Sequence, residues 1–195
     1  MLLAAMVLPW ATSAQTTNAT VPYSTGFEVD DDVAWTLINV STSTHALWYI
    51  GTAAHNTGSK GLYVSNDGGS TNTYANNSTV NWAVRRFTLA AGQYAISFDW
   101  RCKGESTYDY LRCFLVPGDV SLTAGTTLPT GVTATGTPAG WQDLGGKMNL
   151  QDTWQNSTSV FTIATAGTYQ IAFMWRNDVS TANQPPAAVD NVQVA

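Results

Sequence analysis

Apolar and polar residues alternate with a period of two along much of this chain. The clearest stretch is 94–100, whose aromatic and aliphatic side chains fall on one face, and 169–175 repeats that arrangement. A period of two is typical of a β-strand with one buried face. Gly, Asn, Asp and Pro interrupt the alternation at short intervals, and no long stretch keeps the helical period of about 3.6. The pattern therefore predicts an all-β protein.

The two alternating stretches form an internal near-repeat. Both follow the pattern A-G-x-Y-x-I-x-F-x-W-R, which begins at Ala91 and again at Ala166, an offset of 75 positions. Two matching strands with large inward side chains suit the facing sheets of a sandwich. We therefore predict a β-sandwich of two antiparallel sheets. Further strands are predicted at 61–65, 82–89, 108–116, 159–164 and 188–194, with long loops at 66–78 and 117–140.

Composition narrows the function classes. Charged residues make up 11% of the chain, against a usual share of about 25%. The net charge of -5 would repel a phosphate backbone, so we expect no nucleic-acid partner. A hydrophobic share of 44% is not that of a disordered chain, because disorder requires low hydrophobicity and high net charge.

The first residues differ from the rest. Met1 to Trp10 is almost wholly apolar, and small residues up to Ala14 follow it. This pattern predicts a signal peptide at 1–14 and a single domain at 15–195, hence a secreted or cell-surface protein. A buried N-terminal strand is the alternative. The apolar run is shorter than the roughly 20 residues that span a membrane, so we expect no membrane span.

Two cysteines, Cys102 and Cys113, belong to this exported domain. If residues 103–108 close a hairpin, Cys102 faces Asp109 and Cys113 faces Phe98. The cysteines would then lie about 13 Å apart along the strands, whereas a disulfide needs Cα atoms within about 7 Å. We predict two buried free thiols, with a disulfide as the alternative.

Motifs for catalysis are missing. The chain has no nucleophile elbow, no H-E-x-x-H and no phosphate-binding loop. Its glutamates are Glu28 and Glu105. Glycoside hydrolysis needs a facing pair of carboxylates about 5–9.5 Å apart, so Glu105 would have to recruit Asp109 or Asp178. We therefore predict a domain that is not an enzyme.

The acids near the two ends of the domain point to a cation. Glu28 precedes Asp30, Asp31 and Asp32, and Asp190 interrupts an apolar run on the last predicted strand. The first and last strands of a sandwich are often neighbours, and two close carboxylates are stabilised by a cation between them. Ca²⁺ takes 6 to 8 oxygen ligands from carboxylates and carbonyls. The alternative is that Asp190 caps a loop through hydrogen bonds.

Several motifs in order resemble the cleaved-adhesin and choice-of-anchor J domains. These are modules of exported Bacteroidetes proteins, including the haemagglutinin/adhesin regions of gingipains, and are similar to MAM domains. The matching segments are 22–28, 48–51, 58–67, 96–100, 104–111, 173–178 and 185–192. The resemblance implies a jelly-roll β-sandwich of the galactose-binding or MAM-like type with structural Ca²⁺. It also implies Glu28 and Asp190 as ligands, with Asp30 and the Lys60 carbonyl as further ligands.

The resemblance implies a non-catalytic adhesin or binding module for a host extracellular protein or a glycan. Trp141, with Asp143 and Asn149 nearby in sequence, is the candidate ligand site, although Trp141 could instead plug the end of the sandwich. The alternative function is an accessory, carbohydrate-binding-like module of a larger secreted peptidase or glycoside hydrolase, with further domains in a longer polypeptide.

Overall fold

A computed structural model describes residues 17–28, 32–42 and 45–195. The predicted signal peptide at 1–14 and Asp30 lie outside these residues. The described chain forms eleven β-strands and one short 3-10 helix, Asp32–Ala34. The strands are β1 Tyr23–Thr25, β2 Thr36–Ile38, β3 Leu47–Gly51, β4 Gly61–Ser65, β5 Thr79–Leu89, β6 Gly92–Cys102, β7 Tyr110–Pro117, β8 Gln142–Asp143, β9 Gln151–Ile163, β10 Gly167–Asn177 and β11 Ala188–Val194.

The strands form two antiparallel sheets. The six-stranded sheet has the order β3-β4-β11-β6-β9, and β1 pairs with the same edge of β11 as β4. The five-stranded sheet has the order β2-β5-β10-β7-β8. Their inner faces enclose one core of buried aromatic and aliphatic side chains. The prediction of an all-β jelly-roll sandwich is confirmed. Among the described residues no helix is long and apolar enough to cross a membrane.

The two strands of the near-repeat lie in different sheets, as predicted. β6 is a central strand of the six-stranded sheet, and β10 is the central strand of the five-stranded sheet. Their equivalent residues Phe98 and Phe173 are fully buried and meet edge to face, with ring centroids 5.0 Å apart. Edge-to-face pairs stabilise a core by about 0.5–1.5 kcal/mol beyond the burial of their area.

The predicted hairpin between β6 and β7 is wrong. Cys102 lies opposite Gln151 of β9, and Cys113 lies opposite Phe173 of β10, so the two cysteines belong to different sheets. β6 is already paired with β11 on one edge and β9 on the other, and β7 therefore has no edge of β6 to join. Residues 103–109 instead carry the chain from one sheet to the other. Both cysteines are nevertheless buried and free.

The other five predicted strands are present, three of them with different bounds. The predictions at 61–65 and 188–194 coincide with β4 and β11. The strand predicted at 159–164 corresponds only to the end of β9, which begins at Gln151. β9 is an edge strand whose first residues are exposed or half-buried, so hydrophobic alternation does not mark its start.

Candidate functional site

Strand β11 changes partner halfway along its length. Ala188 and Val189 pair with β4, whereas residues 192–194 pair with β1. Asp190 and Asn191 lie between these two pairings, where the register with β6 also shifts. Asn191 has a left-handed backbone (φ 51°), which asparagine tolerates better than most residues. The change of partner leaves room at Asp190 for a loop to approach.

Asp190 is fully buried, and backbone N–H groups surround its carboxylate. Its Oδ2 accepts hydrogen bonds from the N–H groups of Asn56 (2.7 Å) and Thr57 (2.9 Å), and its Oδ1 accepts one from Asn191 (2.7 Å). Hydrogen bonds to a charged acceptor are roughly twice as strong as neutral ones, which is what a buried charge requires. Asp190 therefore holds the loop between β3 and β4.

Glu28 holds the same loop from the other side. Its Oε1 accepts hydrogen bonds from the N–H groups of Ser59 (2.8 Å) and Lys60 (2.9 Å), and its Oε2 accepts one from the Ser59 hydroxyl (2.6 Å). These bonds, the Ser59 hydroxyl foremost, lower the pKa of Glu28 to about 2. The chain turns towards the loop at Phe27, a buried residue with a left-handed backbone (φ 61°) whose N–H donates to Thr25 Oγ1.

Two glycines lie where the carboxylates meet the loop, and one of them, Gly58, is required there. A Cβ on Gly26 would lie 3.7 Å from Asp190 Oδ1 and 3.9 Å from Glu28 Cγ, so Gly26 separates the two acids. A Cβ on Gly58 would lie 2.2 Å from Glu28 Oε1, and Gly58 has φ +65°. We call Glu28, Asp190 and loop residues 56–60 the carboxylate clamp.

The oxygen ligands that the carboxylate clamp offers suit calcium. Its charged groups are carboxylates, the hard oxygen ligands that Ca²⁺ prefers. Glu28 Oε2 and Asp190 Oδ1 each accept one hydrogen bond among the described residues, which leaves each oxygen a lone pair for a cation. A Cβ on Gly26 would lie within 4 Å of Asn191 Oδ1, Asp190 Oδ1 and Glu28 Cγ, so the side chains of both acids border the space beside Gly26. Glu28 and Asp190 could therefore hold the ion there.

The structure brings together two of the four predicted metal ligands. Glu28 and Asp190 hold one loop, which also shows the loop capping by Asp190 that the sequence left open. Lys60 contributes its N–H to Glu28, and Asp30 is outside the described residues. Calcium binding remains a prediction.

A second carboxylate group, which the sequence analysis considered only for catalysis, lies at the crossing between the sheets. Carboxylate oxygens of Glu105, Asp109 and Asp178 all lie within 4.8 Å of one another. Asp109 is fully buried: Tyr74 Oη donates to its Oδ2 (2.6 Å) and the Asp178 N–H to its Oδ1 (3.0 Å). A buried carboxylate cannot contact a substrate, so only Glu105 and Asp178 remain accessible in this group.

Burial raises the pKa of Asp109 to about 6, and the nearby charges of Glu105 and Asp178 add to that rise. Burial and the nearby Asp109 carboxylate also raise the pKa of the Tyr74 hydroxyl. Since Asp109 connects loop 66–78, loop 103–109 and the segment after β10, its charge state affects how three loops are held together at this end of the sandwich.

The candidate ligand residues Trp141, Asp143 and Asn149 have separate roles. Trp141 packs edge-on against Trp82 and Phe114, with ring centroids 6.1 and 5.5 Å away, which places it on the outer face of the five-stranded sheet. Asp143 pairs with Arg112 at 3.2 Å.

Asn149 lies farther along the sheet. Its side-chain amide donates to the carbonyl of Glu105, on the loop that crosses between the sheets. Asp143 is opposite Phe114, whereas Met148 is opposite Leu111, three residues away on β7. That separation is about 10 Å, so these three residues do not form one compact site.

Comparisons with known proteins concern the fold. No protein-family model matches the chain, and no curated protein sequence matches it. Among solved structures it is similar to the CBM22-1 xylan-binding domain of Xyn10C from Paenibacillus barcinonensis. The TM-score is 0.53 at 12% identity, over 90% of this chain and 96% of that one. The family 22 carbohydrate-binding module of Clostridium thermocellum Xyn10B gives 0.52 at 14% identity, over 89% and 92%.

The chain is also similar to the K1 cleaved adhesin domain of Lys-gingipain from Porphyromonas gingivalis W83. The TM-score is 0.51 at 16% identity, over 90% of this chain and 98% of that domain. At such low identities these likenesses show the fold: the jelly-roll sandwich is one that carbohydrate-binding modules and an adhesin domain share.

Proposed function

We propose that this chain is a non-catalytic extracellular binding module that recognises a glycan and is stabilised by calcium. The observation that carries the binding role is its fold over nearly the whole chain. A xylan-binding domain, a family 22 carbohydrate-binding module and a gingipain adhesin domain have the same sandwich. Fold likeness to binding modules is an analogy, and binding is therefore tested directly below.

The carboxylate clamp supports the calcium part of the proposal. Two carboxylates approach one loop on either side of Gly26, and each retains an oxygen with a single hydrogen bond. A cation between them would relieve the repulsion of two negative charges. It would thereby fix the loop between β3 and β4 to the first and last strands.

Thermal unfolding with excess calcium and with a chelator tests this part. A metal that binds only the folded state, at 100 times its dissociation constant, stabilises that state by about 2.7 kcal/mol. For a domain of this size, we expect the midpoint to rise by roughly 5–10 °C. The Glu28→Ala, Asp190→Ala double variant should lose the rise.

Gly26→Ala gives a sharper test, because it fills the space beside the two acids while keeping both carboxylates. It should unfold like the wild type in chelator yet show no calcium-dependent rise. Gly125→Ala is the matched control, since a Cβ there meets nothing within 4 Å. An unchanged midpoint in the wild type would mean that hydrogen bonds alone hold the clamp, and calcium would be dropped from the proposal.

Two roles of a binding module remain to be separated. An adhesin acts through its own ligand on a host glycan or extracellular protein, whereas an accessory module positions a secreted hydrolase or peptidase on its substrate. The coding sequence that follows Ala195 distinguishes them: a catalytic domain in frame favours the accessory role, and further adhesin-like or sorting modules favour the adhesin role.

A further inference from the structure

The outer face of the five-stranded sheet is apolar, and segment 118–141 covers most of it. Trp82, Phe114 and Met174 on this face pack with Val132 and Trp141 of the covering segment. The Trp82 indole N–H donates to the carbonyl of Thr123 (3.1 Å), which fixes the segment over the sheet. The part of the sheet nearest β2 is left uncovered.

The first residues of the covering segment form a fixed wall beside that uncovered part. Gln170 Nε2 donates to the carbonyls of Pro117 (3.0 Å) and Val120 (2.9 Å), and Arg86 Nη2 donates to the carbonyl of Gly118 (2.9 Å). The Gly118 N–H donates to Thr168 (2.9 Å). Such a wall needs little ordering when a ligand arrives, which favours affinity.

Two adjoining recesses lie along this wall. One has a volume of about 630 Å³ and the other about 250 Å³, and Arg86, Gly118 and Asp119 line both. Small-molecule sites typically have volumes of about 300–1,000 Å³. Together the recesses form one groove with Arg86, Gly118 and Asp119 at its centre. The larger recess extends to Gly140 and residues 165–169, and the smaller one extends over the outer faces of β2 and β5 beside residues 120–122.

Of the two charged groups of this groove, the fold uses Arg86 only in part and does not use Asp119. The exposed Asp119 carboxylate makes no hydrogen bond or ion pair within the described part of the chain. Arg86 uses one N–H group for Gly118, and it forms no ion pair with Asp119. By contrast, the Asp99 carboxylate on the outer face of the other sheet already accepts hydrogen bonds from three asparagine side chains, those of Asn56, Asn156 and Asn191.

The chemistry of the groove suits a neutral oligosaccharide. Arg86 donates and Asp119 accepts hydrogen bonds, which matches the hydroxyl groups of a sugar, and exposed hydroxyls of Thr36 and Ser121 line the same groove. The half-buried side chains of Ile38 and Leu122 supply apolar surface for the C–H faces of a sugar ring. One positive and one negative side chain leave the groove without a net charge that would select an anionic ligand.

We propose that the groove between Arg86 and Asp119 is the glycan-binding site of this domain. The inference rests on the proposed binding function and places the site away from Trp141, which the fold uses to cover the sheet. An extended peptide is less suited, because the groove lies on the face of the sheet and not along a strand edge, where a peptide would add as a further strand.

Calorimetry with a panel of neutral oligosaccharides, including xylohexaose, cellohexaose and mannohexaose, tests the site. Asp119→Asn and Arg86→Gln should each lower the affinity for the best ligand roughly tenfold or more, since each removes a charged hydrogen-bonding group. Asp152→Asn, an exposed carboxylate on β9, is the matched control and should leave the affinity unchanged. Thermal unfolding shows that each variant is folded.

The outcomes distinguish the groove as the binding site from the proposed glycan-binding function of the domain. Binding by the wild type that both groove variants retain would overturn the groove as the site and leave the glycan-binding function standing. No binding of any sugar by the wild type would overturn the glycan-binding function itself. Binding of a host extracellular matrix protein that is lost in Asp119→Asn, with no sugar bound, would keep the groove as a site and overturn its ligand class.

Discussion

Arg112 and Asp143 form an ion pair 3.2 Å long on the outer face of the five-stranded sheet, where Arg112 is fully buried. The same guanidinium donates to the carbonyl of Thr133 (2.6 Å) and lies 4.6 Å from the centre of the Phe114 ring. One arginine on β7 therefore fastens both β8 and the covering segment 118–141 to the sheet.

Removing the negative partner should loosen the covering segment. In Asp143→Asn the buried Arg112 charge loses its counter-ion, and we expect the free energy of unfolding to fall by about 2–3 kcal/mol. That is somewhat below the 3–5 kcal/mol for a wholly buried pair, because the Asp143 side chain is 34% exposed. Urea unfolding measures the loss, and limited proteolysis should show faster cleavage within 118–141.

The control is the exposed pair between Lys103 and Asp152, 3.4 Å long on the other sheet. Asp152→Asn should change the free energy of unfolding by less than about 1 kcal/mol, as for most surface pairs. Equal losses in the two variants would contradict the role given to Arg112.

Two glycines with similar backbones allow the carboxylate clamp to be tested without touching an acid. Gly58 (φ +65°) faces Glu28, whereas a Cβ on Gly68 (φ +77°) would meet nothing within 4 Å. Gly68→Ala should lose about 1–2 kcal/mol, the cost of a left-handed backbone alone. Gly58→Ala should lose more, because Glu28 must leave its hydrogen bonds to Ser59 and Lys60. Urea unfolding of both variants gives the comparison, and equal losses would mean that Glu28 does not hold the loop.

Asp109 should make the domain more stable as the pH falls from 7 towards 4. Its pKa is about 6 in the folded state against an ordinary value of 3.8, so the folded state takes up the proton first. The contribution of Asp109 to the free energy of unfolding should be largest below about pH 4, fall as the pH rises through 6, and be lost above 7. The change is at most about 3 kcal/mol, since one pKa unit corresponds to about 1.4 kcal/mol.

Urea unfolding of the wild type and Asp109→Asn between pH 4.5 and 7.5 measures this slope, which the variant should lose. Glu28 and Asp67, whose pKa values are lowered to about 2, act with the opposite sign. Their contribution is complete only above their ordinary pKa values of 4.5 and 3.8 and is lost as the pH falls through 2, so it affects only the acid end of that range. A slope that persists in Asp109→Asn would assign it to another group.

The two cysteines should be inert in the folded protein. Cys102 and Cys113 are fully buried, and burial raises the pKa of both thiols above the ordinary value. Because the thiolate is the reactive form, a thiol reagent such as 5,5′-dithiobis(2-nitrobenzoate) should label neither in buffer and both in urea. The absence of thiols in urea without a reductant would indicate the disulfide alternative.

Local pattern was sufficient to predict the central strands, but not their partners. β6 and β10 each have one face towards the core along their length, which produces the alternation that identified them. β1 and β2 have three residues each, too few for a period to show. The crossing of the chain after Cys102 depends on both edges of β6 being filled by β9 and β11, which come later in the sequence.

The candidate functional residues also divide into those that the sequence pattern reveals and those that it does not. Asp190 was detectable because a charge in an apolar strand needs a partner, and its carboxylate is indeed buried among N–H donors. Arg112 carries the same signal within β7 and could have been identified in that way. Arg86 and Asp119 carry no such signal: the groove they line exists only because Gln170 and Gly118 hold the covering segment in place.

The pairing of the first strand with the last has a mechanical consequence. Tyr23 lies opposite Val194 and Thr25 opposite Val192, so the N-terminal end of β1 and the C-terminal end of β11 are side by side. A force applied between those two ends would peel the strands apart one residue pair at a time, because the hydrogen bonds lie along the direction of pull. The peeling would then reach Glu28 and Asp190, whose hydrogen bonds to loop 56–60 would resist it.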